Sequence, residues 1–513
     1  MQLANIHIAN LDRDRTPYEE CFPWRPLWEE ARIVRGAKKT VASEAAAAAE
    51  AAAAEPAVSL AYLTSLFSTS TAETPKAIQA EEGQQFDRPE DLSVAVEFKF
   101  LVPYRPHGTA ATDDCHRHPP VATADMIGSV AVTTEADRKR LNDHAFRAIA
   151  ATIRACEGQD AISTPEMQQR PQPRQPLPLS AYWATHWLVK RSNSAEPSGA
   201  HPRHADWLWV PVEINSPKLT WTDQAQTAAT IRAVLRALHA SHRIETNYSC
   251  EVHVHVGRRD GRRLSLPSLQ RLAVLCWLAE PVLRGVKDPR SPNFVHKYTW
   301  SSPLRERSRL AAELRKQHRL HGCAENRHHQ QQQQQKQQAS DLRAIRHILA
   351  SRSHVELGKL MTGEGRPYRR LGFNFYSLVK ETLSEADRTE LETVECRFLE
   401  GTMSEDAILG WLQIYGCLVE SALASDPRKN KVAEEQKEEE KEGQGSLMLP
   451  LLLGLLERTT GQGGPATATT EMFVSLMGDL GIDRSSFDPV LAIIHRARPA
   501  STGGENLFVG PGR

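Results

Sequence analysis

The chain has 513 residues, of which 63 are basic and 63 acidic, so its formal net charge at pH 7 is zero. This balance gives no overall electrostatic field that would recruit nucleic acid or an anionic membrane surface. The eight cysteines form no CxxC pair, which is typical of reduced thiols rather than of a disulfide framework.

The apolar segments of the chain do not predict a membrane protein. The longest of them, LMLPLLLGLL at 447–456, is interrupted by Pro450 and Gly454. It reaches about half of the roughly 20 residues that a membrane-spanning helix needs. The N-terminal residues lack the basic start and apolar stretch of a secretory signal. We therefore expect a cytoplasmic protein with neither a membrane nor a nucleic acid as partner.

Low-complexity segments divide the chain. An N-terminal arm with the tract SEAAAAAEAAAAEPA is expected over residues 1–88, and a main domain over residues 89–425. The glutamine-rich run HHQQQQQKQQ predicts a disordered insertion at about 322–340. The run EEQKEEEKEGQG predicts a charged linker over 426–446, and a helical C-terminal segment is expected over 447–513.

Within the main domain, short alternating runs are interleaved with amphipathic helical patterns. The alternating runs, in chain order, are SVAVEFKFLVPY, HWLVKR, WLWVPVEINSP, CEVHVHVG, RLGFNFYSL and TVECRFLEGT. The helical patterns cover about 134–158, 222–243, 265–286 and 404–424, the last with Ser404 as a predicted N-cap. This mixture predicts an α+β fold. We expect a mostly antiparallel sheet with one charged, concave face and helices packed on the other.

The polar positions of these runs carry acids, histidines and an arginine on one predicted face. Carboxylates and imidazoles are ligands for divalent cations, and several carboxylates on one surface repel each other unless a cation neutralises them. The alternative is a solvent-facing surface with charges paired across the strands. The candidate site residues are Glu97, Lys99, Glu213, Asn215, Glu251, His253, His255, Asn374, Glu395 and Arg397.

Four motifs, each on a predicted strand and in this order, resemble the amidoligase family of carboxylate–amine ligases. They are VAVEFKFLVP, VEINSP with Leu219 and Trp221 following, HVHVG before a long helix, and VECRFLEGTM before a helix. The resemblance covers about residues 90–425. It implies a sheet similar to those of glutamine synthetase and glutamate–cysteine ligase. It also implies an enzyme that uses ATP and Mg²⁺ to join a small-molecule carboxylate to an amine or peptide through an acyl phosphate.

The resemblance also suggests roles for the candidate residues. Arg397 would be a catalytic phosphate clamp, because a guanidinium matches phosphate oxygens bidentately. The catalytic metal ligands would be Glu97 and Glu395. Further candidate ligands are Glu213, Glu251 and His253, and Glu213 would serve either metal or substrate. The remaining candidates are His253 and His255 for metal or nucleotide phosphate, Lys99 for nucleotide phosphate, and Asn215 and Asn374 for substrate.

Lys99 departs from the family pattern, which has a second acid at this position. Either Lys99 replaces the charge of one metal and contacts phosphate directly, or the chain has lost catalysis and acts as a binding protein. Glu251 is a candidate for the missing carboxylate. A metal-dependent hydrolase is a further alternative, since histidines and carboxylates can also activate water.

Overall fold

The computed structural model describes twelve segments and two isolated positions of the chain. They are residues 87–106, 122–123, 132, 134–169, 179–196, 207–247, 249–286, 303–320, 330–364, 371–379, 392–423, 451, 454–455 and 468–496. The Ala/Glu-rich tract of the predicted N-terminal arm and the predicted charged linker lie outside these residues.

Within the described segments, nine strands form one sheet. The strands are β1 (Leu92–Arg105), β2 (Ala122–Thr123), β3 (Ala161–Ser163), β4 (Trp187–Arg191), β5 (Leu208–Asn215), β6 (Leu219–Thr220), β7 (Val252–Arg258), β8 (Phe373–Asn374) and β9 (Val394–Leu399). The order across the sheet is β3-β4-β5-β1-β7-β9-β8, with β2 and β6 also paired to β1. The pairs β1–β2 and β3–β4 are parallel and the others antiparallel. The predicted mixed α+β fold with a mostly antiparallel sheet is confirmed.

Twelve helices accompany the sheet in the described segments. They are α1 (Glu135–Arg154), α2 (Thr164–Gln169), α3 (Leu179–Thr185), α4 (Gln224–Ser241), α5 (Leu266–Leu283), α6 (Leu304–Arg307), α7 (Arg309–Leu320), α8 (Gln330–Leu349), α9 (His354–Met361), α10 (Glu405–Ala422), α11 (Ala468–Asp479) and α12 (Arg484–Arg496). None of these described helices combines the length and apolar character needed to cross a bilayer.

The central strand β1 shows how the alternating sequence forms two different faces. Val94, Val96, Phe98 and Phe100 point into the main hydrophobic core. Helices α1, α4, α5 and α10 contribute their apolar faces to the same core. Helix α5 is apolar on nearly every side and is buried, as expected for a helix covered by other helices. The opposite face of β1 therefore carries the charged residues.

Local sequence signals set the helix ends. Thr134 and Asp137 form a capping box at the start of α1, where the Asp137 N–H donates to Thr134 Oγ1 and the Thr134 N–H to the Asp137 carboxylate. At α10, Ser404 accepts a hydrogen bond from the Ala407 N–H, so the predicted N-cap is confirmed. These caps satisfy backbone donors that the first helical turn leaves without partners.

The predicted strand RLGFNFYSL is much shorter in the structure. Only Phe373 and Asn374 pair with β9, and Tyr376–Val379 form a 3₁₀ turn. Asn374 Oδ1 accepts the Tyr376 N–H at 3.0 Å. This local bond competes with continued strand pairing and accounts for the early end of β8.

The glutamine-rich stretch also differs from its predicted disorder over 322–340. Residues 330–349 form α8, whose C-terminal half buries Ala344, Ile345 and Ile348. Glutamine has a good helix propensity, so a buried apolar anchor can extend the helix into the glutamine run. Residues 321–329 lie outside the described part of the chain.

The C-terminal helices pack on the core. Helix α12 packs against α10, and α11 packs against α5 and α12. A Cβ added at Gly410 in α10 would lie 2.1 Å from the carbonyl oxygen of Ser486 in α12, so the two helices approach too closely for any side chain there. Phe473 and Phe487 meet edge to face, with ring centroids 6.1 Å apart.

Candidate active site

The register of the sheet brings the predicted charged residues together. Glu97 on β1 stands opposite Asn215 on β5 and His253 on β7. Glu395 on β9 stands opposite His255 on one side and Asn374 on the other. Because side chains at directly opposed positions lie on the same face, these groups form one cluster opposite the helices.

Lys99 lies inside this cluster. Its side chain is only 2% exposed, and its Nζ is 3.0 Å from Glu97 Oε1. The same ammonium lies 2.9 Å from His253 Nε2 and 3.1 Å from His253 Nδ1. In the register it stands opposite Glu213. Lys99 is therefore a buried cation surrounded by acids and an imidazole.

His253 links three carboxylates. Its Nδ1 lies 2.9 Å from Glu97 Oε1 and 2.8 Å from Glu395 Oε1. Its Nε2 lies 3.3 Å from Glu251 Oε2. The side chain is fully buried, with no exposed surface. These contacts use both ring nitrogens, so His253 serves as a buried connector between strands.

Burial and charge act in opposite directions on these groups. Burial alone would raise the pKa values of the Glu97 and Glu395 carboxyls. Lys99 and His253 hold the pKa of Glu97 well below its ordinary value, and Arg397, His255 and His253 do the same for Glu395. Burial lowers the pKa of His253, as do the nearby cations, but Glu97 and Glu395 give a net upward shift. Both carboxyls are therefore ionised at neutral pH.

His255 has a different environment. Its Nδ1 lies 3.1 Å from Thr393 Oγ1. Its Nε2 is 3.6 Å from Glu97 Oε2 and 3.7 Å from Glu395 Oε1, and it is buried without a hydrogen-bond partner. When Nδ1 carries the ring proton and donates it to Thr393, Nε2 presents its lone pair between two carboxylates.

Glu97, His255 and Glu395 fit a cation. One ligand atom from each residue lies within 4.8 Å of the other two. Two carboxylate oxygens and one imidazole nitrogen are a common donor set for a divalent metal. The unpartnered Nε2 between two ionised carboxylates is the observation that favours a cation here over simple pairing of charges.

Two asparagines orient the carboxylates of this triangle. Asn215 Nδ2 donates to Glu97 Oε2 at 3.0 Å, and Asn374 Nδ2 donates to Glu395 Oε2 at 2.7 Å. The bond that Asn374 Oδ1 accepts from the Tyr376 backbone fixes the orientation of its amide. Such supporting bonds are typical of residues that hold metal ligands in place.

Arg397 is buried beside Glu395 and donates from Nη1 to Glu395 Oε2 at 3.0 Å. Burial lowers the pKa of its guanidinium, but the carboxylates of Glu395, Glu97, Glu251 and Glu213 raise it overall. Arg397 is thus a fixed positive charge next to the candidate cation position.

Glu213 lies away from the triangle. Its Oε1 is 2.7 Å from Lys190 Nζ, and Lys190 in turn stands over the ring of Trp183, 5.5 Å from its centroid. The structure thus pairs Glu213 with Lys190 and Glu251 with His253. The predicted roles of Glu213, Glu251 and His253 as metal ligands stay predictions.

Part of this region is similar to a known family. Residues 189–339 match the family model described as "Putative amidoligase enzyme". The predicted resemblance to the amidoligase family is confirmed over these residues, which contain two of the four motifs, VEINSP and HVHVG. No curated protein matches the chain. The match supports a ligase enzyme and contains Glu213, Asn215, Glu251, His253 and His255. Strands β1 and β9 lie outside the matched amidoligase region, but the sheet places them on both sides of β7.

Two further residues of this face were not predicted from the sequence. Thr393 contacts His255, and Lys190 pairs with Glu213. The period-two pattern gave a signal for Thr393, which lies two residues before Glu395. The pairing of Lys190 with Glu213 depends on the register of β4 and β5, which the sequence does not show. Neither has a residue type that draws attention alone, since Thr and Lys are common on exposed strand faces.

Proposed function

We propose that the chain is an ATP- and Mg²⁺-dependent ligase that joins a carboxylate to an amine through an acyl phosphate. The observation that carries this proposal is the triangle of Glu97, His255 and Glu395, in which His255 Nε2 has no hydrogen-bond partner. Arg397 lies beside this triangle, at 3.0 Å from Glu395. The amidoligase match supports the ligase class. The antiparallel sheet with one charged face supports a fold like that of glutamine synthetase.

Glu97, His255 and Glu395 would hold the Mg²⁺. When bound, Mg²⁺ neutralises the polyphosphate of ATP and supports transfer of the γ-phosphoryl group. Asn215 and Asn374 keep the two carboxylates in position for this role, and substrate contact remains a second proposed role for both amides.

Arg397 supplies a fixed positive charge for a phosphoryl group that gains charge during transfer. Its contact with Glu395 orients the guanidinium before the substrate binds. Lys99 and His253 would supply positive charge deeper in the same face. In this scheme the chain binds and orients the substrates and stabilises charge that develops on phosphate.

The reaction has two steps. A carboxylate oxygen of the substrate attacks the γ-phosphorus of ATP, and the bond to the β,γ-bridging oxygen breaks, releasing ADP. The nitrogen of a neutral amine then attacks the acyl carbon, the bond from this carbon to the phosphate oxygen breaks, and the nitrogen loses a proton. One oxygen of the carboxylate therefore leaves with inorganic phosphate. Water must be excluded, since it would hydrolyse the acyl phosphate.

The proposed substrates are a small carboxylic acid and an amine, amino acid or peptide. The main domain over residues 89–425 would contain the whole site, and the cytoplasmic location stays a prediction.

Thermal unfolding with and without MgATP tests nucleotide binding. A ligand at about 100 times its dissociation constant adds about 2.7 kcal/mol to the free energy of unfolding, which raises the melting temperature by a few degrees. We expect the wild type and Glu471→Gln to show this shift, because Glu471 is exposed on α11. Glu395→Gln and Arg397→Ala should lose it.

ADP release with a panel of carboxylic acids and amino acids tests catalysis. A ligase continues to form ADP turnover after turnover only when both substrates are present, because the amine must consume the acyl phosphate before the next ATP reacts. An ¹⁸O label on the carboxylate then appears in the released phosphate. A MgATP-dependent shift without turnover across the panel would instead favour a binding protein. Hydrolysis of amides without ATP would favour the metal-dependent hydrolase.

A further inference from the structure

The charged face divides into two halves that are neutralised in different ways. In the inner half, Lys99 and His253 contact Glu97 and Glu251, and all four side chains are almost fully buried. In the outer half, His255 Nε2 lies between Glu97 and Glu395 without a hydrogen bond. The inner half therefore contains its own cation, the Lys99 ammonium. The outer half instead offers a position at which a metal ion from solution can bind.

The two halves share Glu97 and Glu395, because His253 Nδ1 also lies 2.8 Å from Glu395 Oε1. Glu97 Oε1 contacts Lys99 Nζ at 3.0 Å and His253 Nδ1 at 2.9 Å. Its Oε2 faces His255 and accepts the Asn215 amide. In two-metal sites a carboxylate commonly bridges ions that are about 3.5–4 Å apart. The Lys99 ammonium lies on the carboxylate oxygen that would contact the second ion.

We propose that this face binds a single divalent cation, at Glu97, His255 and Glu395, and that the Lys99 ammonium permanently occupies the place of a second one. This inference rests on the proposed function, in which a metal ion binds here. It adds a stoichiometry and assigns Lys99 a role as a positioning residue. A fixed ammonium neutralises the inner carboxylates without a metal ion from solution and so holds them close together.

The charges of the inner half favour the Lys99 ammonium over a second metal ion at this position. The Lys99 ammonium is held between the Glu97 carboxylate on its own strand and the His253 ring on the neighbouring strand β7. A dication at the same position would meet the Lys99 ammonium, whose side chain is only 2% exposed. Repulsion between like charges in a buried site excludes this arrangement.

A titration with Mn²⁺, followed by the electron paramagnetic resonance signal of the free ion, tests the stoichiometry. We expect one bound Mn²⁺ per chain in the wild type. Lys99→Glu should bind two and show spin coupling between them. Lys139→Glu is the matched control, because Lys139 is 61% exposed on α1, and it should bind one.

The outcomes separate this inference from the proposed function. Two Mn²⁺ ions in the wild type would overturn the role of Lys99 and leave the ligase proposal intact. No bound Mn²⁺ would overturn both. One ion in wild type and in a folded Lys99→Glu variant would also overturn the inference.

A neutral variant covers the case in which Lys99→Glu does not fold. Lys99→Met has a similar volume and lacks the positive charge. Because the ammonium contacts a proposed metal ligand, its removal should tighten Mn²⁺ binding at the remaining position at least tenfold. An unchanged dissociation constant for Mn²⁺ in a folded Lys99→Met protein would show that Lys99 does not act on the metal position.

Discussion

At the scale of single residues, two histidines on the same strand and the same face have different environments. His253 is fully buried and contacts Glu97, Glu251 and Glu395. His255 is 20% exposed, and its hydrogen bond is to Thr393. The first histidine is a structural connector of the charged cluster, and the second offers an unpartnered nitrogen.

Alanine variants of the two histidines should therefore differ. His253→Ala leaves buried carboxylates without a shared partner and should lower the free energy of unfolding by about 3 kcal/mol. His255→Ala should change it by less than about 1 kcal/mol, since it removes one partly exposed hydrogen bond. Urea unfolding measures both values. Equal losses in the two variants would contradict this assignment.

Mn²⁺ binding tests the role of His255 as a metal ligand. His255→Ala should weaken binding at least 100-fold, because it removes one of three protein ligands. The wild-type protein is the reference, and His255→Ala should keep wild-type stability without metal. Retained affinity in His255→Ala would mean that the cation does not bind at the triangle.

At the scale of helices and strands, the sequence predicted correctly those elements whose hydrophobic pattern extends over many residues. The helices α1, α4, α5 and α10 follow their predicted ranges to within a few residues, because burial of one face sets a periodicity over many turns. The short β8 and the helix through the glutamine run were not predicted. Their structure depends on the Asn374–Tyr376 bond and on burial of Ile345, which single-sequence patterns do not contain.

Glu280, near the end of α5, connects two elements and should give stability a pH dependence. Its carboxylate accepts the Leu304 N–H at 2.5 Å and the Arg305 N–H at 2.7 Å at the start of α6. Burial raises its pKa from an ordinary 4.5 to about 7, although these two bonds oppose the shift. The folded state therefore holds a proton that the unfolded chain releases between pH 4.5 and 7.

The contribution of this proton to stability is fully present below pH 4.5 and is lost as pH rises through about 7. At 1.36 kcal/mol per pKa unit, the loss is on the order of 3 kcal/mol. Glu280→Gln should flatten the dependence of the free energy of unfolding between pH 5 and 8. Glu306→Gln is the control, because Glu306 is 58% exposed on α6, and it should keep the wild-type slope. An unchanged slope in Glu280→Gln would contradict the assignment.

Two glycines in helices should respond to alanine in opposite directions. A Cβ at Gly416 in α10 would lie 2.1 Å from the ring of Trp221, which is buried and donates to Glu420. Gly416→Ala should therefore destabilise the fold by about 1–3 kcal/mol. A Cβ at Gly478 in α11 meets nothing within 4 Å, so Gly478→Ala should stabilise by up to about 1 kcal/mol through helix propensity. Calorimetry measures both, and the same sign in both would refute the packing argument.

At the scale of the whole molecule, period-two alternation predicted which residues share the charged face. Alternation could not show which of them touch, because β1 and β7 are more than a hundred residues apart and their register is a property of the folded sheet. A one-residue shift of β7 would bury Val254 in the charged face. The different environments of His253 and His255 therefore became visible only in three dimensions.

The C-terminal helices should unfold together with the sheet and its main helices. Phe473 in α11 is 1% exposed, and α11 and α12 pack on α5 and α10 in one continuous core. Phe473→Ala should lower the free energy of unfolding by about 3–5 kcal/mol. Tryptophan fluorescence and circular dichroism should report the same single transition at a lower temperature. The fluorescence is informative because Trp221 and Trp411 lie in the core, away from α11 in sequence.

Ser475→Ala is the matched control, because Ser475 is exposed on the same helix, and its effect should stay within about 0.5 kcal/mol. An early separate transition in Phe473→Ala, followed by melting of the remainder at the wild-type temperature, would define the C-terminal segment as an independent unit. A single lowered transition would mean that this segment stabilises the layer on which the charged face rests. In that case Phe473→Ala, which is remote from the triangle, would lower the stability of the fold without changing the site itself. MgATP should then raise the melting temperature of Phe473→Ala as it does that of the wild type.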